Sequence, residues 1–343
     1  MRFSQRLLIV AIIWTALLMT LGAYVRLQDA GLGCPDWPGC YGHFTVPDEH
    51  HEIRHAEQHF GLAVDVAKGW KEMIHRYVAS GLGVLIIVLS LVLWRERWRA
   101  GRNPWLALLP LVVILLQGAF GMWTVTLKLM PAVVTGHLIG GMSLLICLIV
   151  LLAREQQPCV LDVRWRGLWR LAIACVVAQI ILGGWVSTNY AALACNGFPQ
   201  CQGSWAMPSG LSEALRPDRE LGLSANGVAL NIEHLAAIHY LHRIGAMLVL
   251  AVVGALAWCL RHRLPLFACT LAAALLLQIA LGISNVLLSL PLPLALAHHA
   301  GAAFLLSCLV YSYSRSSFVV QTRAMPNFNP QLPAASTMAK DSI

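Results

Sequence analysis

The stretch Leu106-Ala-Leu-Leu-Pro-Leu-Val-Val-Ile-Leu-Leu-Gln117-Gly-Ala-Phe-Gly121-Met-Trp-Thr-Val125 runs for 20 residues without a charge. An apolar run of about 20 residues is long enough to cross the hydrocarbon core of a bilayer as a helix. Leu264–Leu288 is a second uncharged run. It carries the same polar signature, Gln117-x3-Gly121-x3-Val125 becoming Gln278-x3-Gly282-x3-Val286 at an offset of 161. The first run points to a membrane-spanning helix, and the second to a repeated one.

Six further apolar segments bring the spans to eight: Leu7–Val25, Tyr77–Trp94, Trp105–Leu127, Val133–Leu152, Leu168–Val186, Ala237–Leu260, Leu264–Leu288 and Leu294–Tyr313. Backbone groups in lipid must satisfy one another within a segment, so these spans are helices. Leu7–Val25 is long for the apolar region of a signal peptide, and no small-x-small cleavage pattern follows it. The expected class is an all-α integral membrane protein. The composition agrees: of 343 residues, 58% are hydrophobic and 12% charged, against about a quarter charged in soluble domains. A water-soluble enzyme, a disordered chain and a collagen-like chain are excluded.

The net charge of +8 is distributed as a topology signal. Arg2 and Arg6, the loop Arg95–Arg102, the loop Arg154–Arg170, Arg261, Arg263 and the C-terminal tail carry 15 Lys+Arg and 4 acids. The opposite side carries 9 Lys+Arg and 12 acids. By the positive-inside rule both termini are cytoplasmic, and a nucleic-acid partner is not expected. The polar tail after Arg315 reads as disordered.

Further matches extend the repeat. Gly22-x2-Val25 leads to Cys34-x3-Pro38-x-Cys40, and Gly183-x2-Val186 leads to Cys195-x3-Pro199-x-Cys201. His75-Arg76 matches His242-Arg243, and His137-x2-Gly140 matches His298-x2-Gly301. This predicts two pseudo-symmetric four-helix bundles in parallel orientation, related by an axis near the membrane normal. The halves are 1–153 and 168–315, joined by a cytoplasmic linker at 154–167 and followed by a tail at 316–343.

Twelve of the 13 histidines fall toward the outer side, His262 being the exception. In each half one histidine is expected to open the second helix and one the fourth: His75 and His137, then His242 and His298. Ionisable groups at membrane depth default to a functional reading. Two imidazoles from facing helices suit the axial positions of a haem iron. A zinc site wants four ligands, and each half offers two. The offset of 161 selects His298 over His299. Arg76 and Arg243 read either as partners of haem propionates or as interfacial cations snorkelling to the membrane surface. Glu72 shares a helix face with His75, whereas the corresponding residue in the second half is His239. It reads either as a carboxylate working beside one iron site only or as an exposed acid at a helix N-terminus.

Of ten cysteines, four lie in the outer loops. In an oxidising outer compartment Cys34–Cys40 and Cys195–Cys201 can each close a small disulfide, either as structural clips or with a redox role. The remaining six lie in helices or on the cytoplasmic side and read as packing residues. The outer loop His43–His59 holds five irregularly spaced histidines and reads as solvated and polar rather than as a metal site.

Trp70-Lys-Glu-Met-Ile-His-Arg76 resembles the W-x-E-x-I-H-R motif of the haem A synthases. The outer C-x5-C pairs, the repeated Q-x3-G helices and His298-His-Ala-Gly301 are also similar to that family, over about residues 5–315. The loop around His43–His59 has no match in it. The resemblance implies oxidation of the C8 methyl of haem O to a formyl group, by successive hydroxylations through a geminal diol, to make haem A for terminal oxidases. It implies haem b on His242 and His298, and haem O or haem A on His75 and His137. It maps the family's glutamate onto Glu72, to stabilise positive charge or carry protons, and its N-terminal cysteine pair onto Cys34 and Cys40. It places the chain in a bacterial inner membrane with the His and Cys sites toward the periplasm. An electron donor is required, and contact with a haem O synthase or a terminal oxidase is compatible. The main rival is a membrane electron-transfer protein with two haem b groups. A quinone-linked thiol oxidase would not need the duplicated histidines, and a transporter would show interrupted helices or midplane charges.

Overall fold

A computed structural model of the chain describes residues 2–157 and 159–319. Helix α1 spans Phe3–Leu27, α2 His50–Phe60 and α3 Val66–Arg99. A 3-10 turn at Trp105–Leu108 leads into α4 (Leu109–Thr126), and α5 spans Pro131–Ala153. Strand β1 (Cys159–Asp162) precedes α6 (Trp165–Thr188) and the short α7 (Leu211–Ala214). The chain continues through α8 (Ile232–Leu260), α9 (Pro265–Leu287), α10 (Leu292–Arg315) and β2 (Ser316–Val319). Among the described residues, eight helices are long and apolar enough to cross a membrane. They leave Leu17, Val84, Leu115, Leu276 and Leu277 exposed. That much apolar surface suits lipid rather than water. The chain is a multi-pass membrane protein.

Helix starts follow local chemistry. Pro131 and Pro265 each open a helix, where a missing N–H costs nothing. Asp65 caps α3 by accepting from the Lys68 amide at 3.0 Å, and Asn231 caps α8 by accepting from the His234 amide at 3.1 Å. These two caps correct the expected spans. The helices begin at Val66 and Ile232, well before the apolar stretches that start at Tyr77 and Ala237. Their first turns carry charged and polar residues, Lys68 and Lys71 in α3 and Glu233 and His234 in α8. His75 and His242 therefore lie about three turns inside their helices and do not open them.

In the first half α1 packs on α3 and α5, α3 on α4, and α4 on α5. In the second half α6 packs on α8 and α10, α8 on α9, and α9 on α10. Across the halves α5 meets α10 and α6, and α1 meets α10. The largest core cluster lies along this junction, with Met142, Leu145 and Ile149 of α5 against Leu305, Leu306 and Leu309 of α10 and Val176 of α6.

Two further expectations are corrected. The start of the tail is not disordered, since Ser316–Val319 pairs in parallel with Cys159–Asp162 of the linker. Phe318 is held there because its ring meets the fully buried Trp169 at 6.3 Å. The tail beyond Val319 lies outside the described residues. The outer loop His43–His59 is not only a loop, for it contains α2, which ends on Gly61 in the left-handed conformation (φ 66°) that a side chain would oppose.

Candidate functional site

Each of the four repeated histidines lies against a glycine of a neighbouring helix. A Cβ placed on Gly22 of α1 would meet His75 Cε1 at 3.0 Å, and one on Gly183 of α6 would meet His242 Cε1 at 3.1 Å. Gly121 of α4 faces His137 at 3.5 Å, and Gly282 of α9 faces His298 at 3.1 Å. The glycines of the G-x2-V and Q-x3-G motifs are thus the floors on which the imidazoles rest. All four rings are half-buried. His75 and His137 lie within electrostatic reach of each other, as do His242 and His298. The Nδ1 atoms of His75, His137 and His298 are buried without a hydrogen-bond partner, a costly state unless the ring serves another purpose.

The glutamines fix the backbone beside these rings. Gln117 Nε2 donates to the His137 carbonyl at 2.8 Å, and Gln278 Nε2 to the His298 carbonyl at 2.9 Å. Gly140 and Gly301 leave the room that the glutamine heads occupy. A third glutamine, Gln179 of α6, donates to the His242 carbonyl at 2.8 Å and also reaches the His242 ring at 3.0 Å. At the matching position the first half has Leu18. Sequence reasoning missed Gln179 because the repeat does not duplicate it.

Both C-x5-C pairs are disulfides, Cys34–Cys40 and Cys195–Cys201. Each loop contains a cis proline, Pro38 or Pro199, and an isolated bridge, Cys40 to His43 or Cys201 to Ser204. The arginines after the paired histidines hold these loops. Arg76 Nη1 donates to the carbonyls of Asp36 (3.0 Å), Pro38 (3.2 Å) and Gly39 (2.5 Å). Arg243 donates to the carbonyls of Cys195 (2.6 Å), Gly197 (2.9 Å) and Gln200 (3.0 Å). Carbonyl clamping was in neither sequence reading of these arginines.

Glu72 is 5% exposed, so it is not an exposed acid at a helix end. Its Oε2 accepts from the Cys34 amide at 2.9 Å, and its Oε1 pairs with Arg76 one turn on. In the second half His239, also 5% exposed, receives Arg243 Nε at 3.4 Å. At this position the first half buries a carboxylate and the second an imidazole.

The halves are also bridged at the end that carries the disulfide loops. Arg26 stacks on the Tyr190 ring at 3.8 Å and donates to the Ser187 carbonyl at 3.0 Å. The Tyr190 hydroxyl donates to Asp29 at 2.5 Å, and Lys68 pairs with Asp29 at 3.2 Å. The Tyr190 hydrogen bond and the Lys68 charge hold the Asp29 carboxyl below its ordinary range.

A family model described as cytochrome oxidase assembly protein, COX15-CtaA, matches residues 5–310. A protein of Shewanella oneidensis named "Heme A synthase" is 42% identical over 312 residues, covering 89% of this chain and 94% of that one. Proteins of the same name match from Halalkalibacterium halodurans (29% identical, 84% and 89% covered) and Methylobacterium radiotolerans (30% identical, 84% and 83% covered).

Proposed function

This chain belongs to the COX15-CtaA family of cytochrome oxidase assembly proteins, and on that premise we propose that it is a haem A synthase. It oxidises the C8 methyl of haem O to a formyl group by successive hydroxylations, making haem A for terminal oxidases. The observation that carries this reading is the 42% identity to a "Heme A synthase" over nearly the whole of both chains. The second reading, a membrane protein with two haem b groups, draws only on the likeness of the two histidine sites.

The residues present fit haem. Each half brings two imidazoles from different helices into mutual reach, each ring seated on a glycine and three of the four with an orphaned Nδ1. Paired imidazoles of this kind would hold a haem iron. His75 and His137 hold the substrate haem O and then haem A, and His242 and His298 hold haem b. Haem supplies the one-electron and oxygen chemistry when bound, and the chain supplies ligands, orientation and charge. Gln117 and Gln278 anchor the ligand-bearing backbone of α5 and α10. Gln179 adds a second anchor on α8 in the second half alone, which suits a permanent site better than one that must release product.

Glu72 places one buried carboxylate beside the first pair only. It stabilises positive charge developing at the oxidised methyl and moves protons there, while its bond to the Cys34 amide sets the position of the outer loop. Arg76 neutralises it at rest.

The halves are two four-helix bundles, 1–153 and 168–315, related by a pseudo-two-fold axis near the membrane normal. Support comes from residues that touch their own repeat counterparts: Arg26 meets Ser187 and Asp29 meets Tyr190, each 161 positions apart. A residue can touch its two-fold mate only at the axis. Both termini lie in the cytoplasm, and the disulfides and histidine pairs lie toward the periplasm of a bacterial inner membrane; the charge asymmetry of the loops supports this reading. Haem O arrives from the enzyme that makes it and haem A leaves for an oxidase, with an electron donor acting on the haem b half.

The test is haem content. Protein purified in detergent from cells supplied with haem O should yield haem b together with haem O or haem A. Two haem b per chain and no modified haem would move the assignment to the electron-transfer protein.

A further inference from the structure

Helix α2 is an addition to the first half. Where the second half has the four-residue α7, the first has eleven residues, His-His-Glu-Ile-Arg-His-Ala-Glu-Gln-His-Phe. Histidines that look irregular along the chain become regular on this helix. His51, His55 and His59 stand four residues apart, so they form one stripe, and Glu52 falls at its edge. The other face is anchored. Ala56 is 2% exposed, and Phe60 meets the Tyr41 ring at 5.4 Å within the cluster that contains Cys34 and Cys40. Glu57 closes the C-terminal turn by accepting from the Val64 amide at 3.2 Å. The backbone that carries the stripe is thereby fixed, while the three imidazoles point outward and are exposed. The His55 and His59 rings lie 6.5 Å apart.

We propose that His55 and His59, with water completing the shell, bind a divalent transition-metal ion of the zinc class on the outer face of the first half. Two histidines at i and i+4 on one helix face chelate such an ion, with Zn–N distances of about 2.0–2.1 Å. Imidazole donors select zinc, copper or nickel over magnesium and calcium, which take oxygen ligands. Among the described residues no three-ligand cluster is already gathered, so binding requires the rings to rotate together. Both are exposed, and their rotation displaces no core residue. The ion would clip successive turns of α2, the helix that lies on the Cys34–Cys40 loop. The site is independent of the haem assignments.

The experiment uses the full chain in detergent, stripped with a chelator and titrated with zinc chloride. The wild type should bind one zinc ion more per chain than the double variant H55A/H59A. His55→Ala alone should weaken that site about tenfold or more. Zinc should slow amide exchange across residues 50–60 in the wild type and not in the double variant. His43→Ala, off the helix, should keep the site, and millimolar magnesium should not displace the ion. Equal zinc uptake by wild type and double variant, zinc-insensitive exchange over α2, or displacement by magnesium would each overturn the proposal.

Discussion

At Gly183 one carbon atom decides whether the His242 ring keeps its place, because a Cβ there would stand 3.1 Å from the ring. Gly282 makes the same demand on His298 at 3.1 Å, whereas Gly121 leaves ordinary contact distance to His137 at 3.5 Å. Gly183→Ala and Gly282→Ala should therefore shift the haem b optical and EPR signals, at an overpacking cost of about 1–3 kcal/mol. Gly121→Ala should leave both haem signals in place. Equal behaviour of all three variants would show that the glycines are not ring floors. Glu72 tests chemistry rather than packing. Glu72→Gln keeps the shape and removes the charge, and it should retain both haems while losing haem A formation by about tenfold or more, the scale of one general acid–base or charge contribution. Undiminished haem A from that variant would leave Glu72 only its structural contacts to Cys34 and Arg76. The four histidines were legible because the repeat marks them twice. Gln179 and the carbonyl clamps of Arg76 and Arg243 were not, because a hydrogen bond to a distant backbone leaves no periodic trace in the sequence.

Among the elements, the outer loops depend on their clamps. Arg243→Ala leaves three carbonyls without their cationic donor, and charged-group hydrogen bonds contribute about 1.5–3 kcal/mol each. Faster amide exchange over residues 195–204 should follow with the Cys195–Cys201 bond intact; unchanged exchange would mean that the disulfide alone holds the loop. The bridge from Asp29 to Tyr190 is pH-dependent. Its carboxyl is held below the ordinary value of 3.8, so its contribution is fully present above that value and fades as pH falls through the lower folded value. Asp29→Asn should remove that acid limb from a stability–pH profile and leave the neutral range nearly unchanged. Span number and type were readable from apolar runs alone. The starts of α3 and α8 were not, since polar helical turns resemble loops until their caps at Asp65 and Asn231 are seen. Strand β2 escaped because its partner lies more than 150 residues earlier in the chain.

For the whole molecule, duplication explains the likeness of the halves, and the places where it breaks carry the proposed division of labour. The frame of glycine floors, glutamine anchors, disulfide loops and arginine clamps recurs. Among the exceptions are Glu72 against His239, Leu18 against Gln179, and α2 against α7. These exceptions are the basis for proposing a substrate haem in the first half and a resident haem in the second. That assignment is the central claim, and it is tested most directly by haem extraction from paired ligand variants produced with haem O available. Chromatography and mass should find haem b retained and haem O or haem A lost in His75→Ala, and the reverse in His242→Ala. Loss of haem b from His75→Ala, or haem b as the only haem in the wild type, would contradict it.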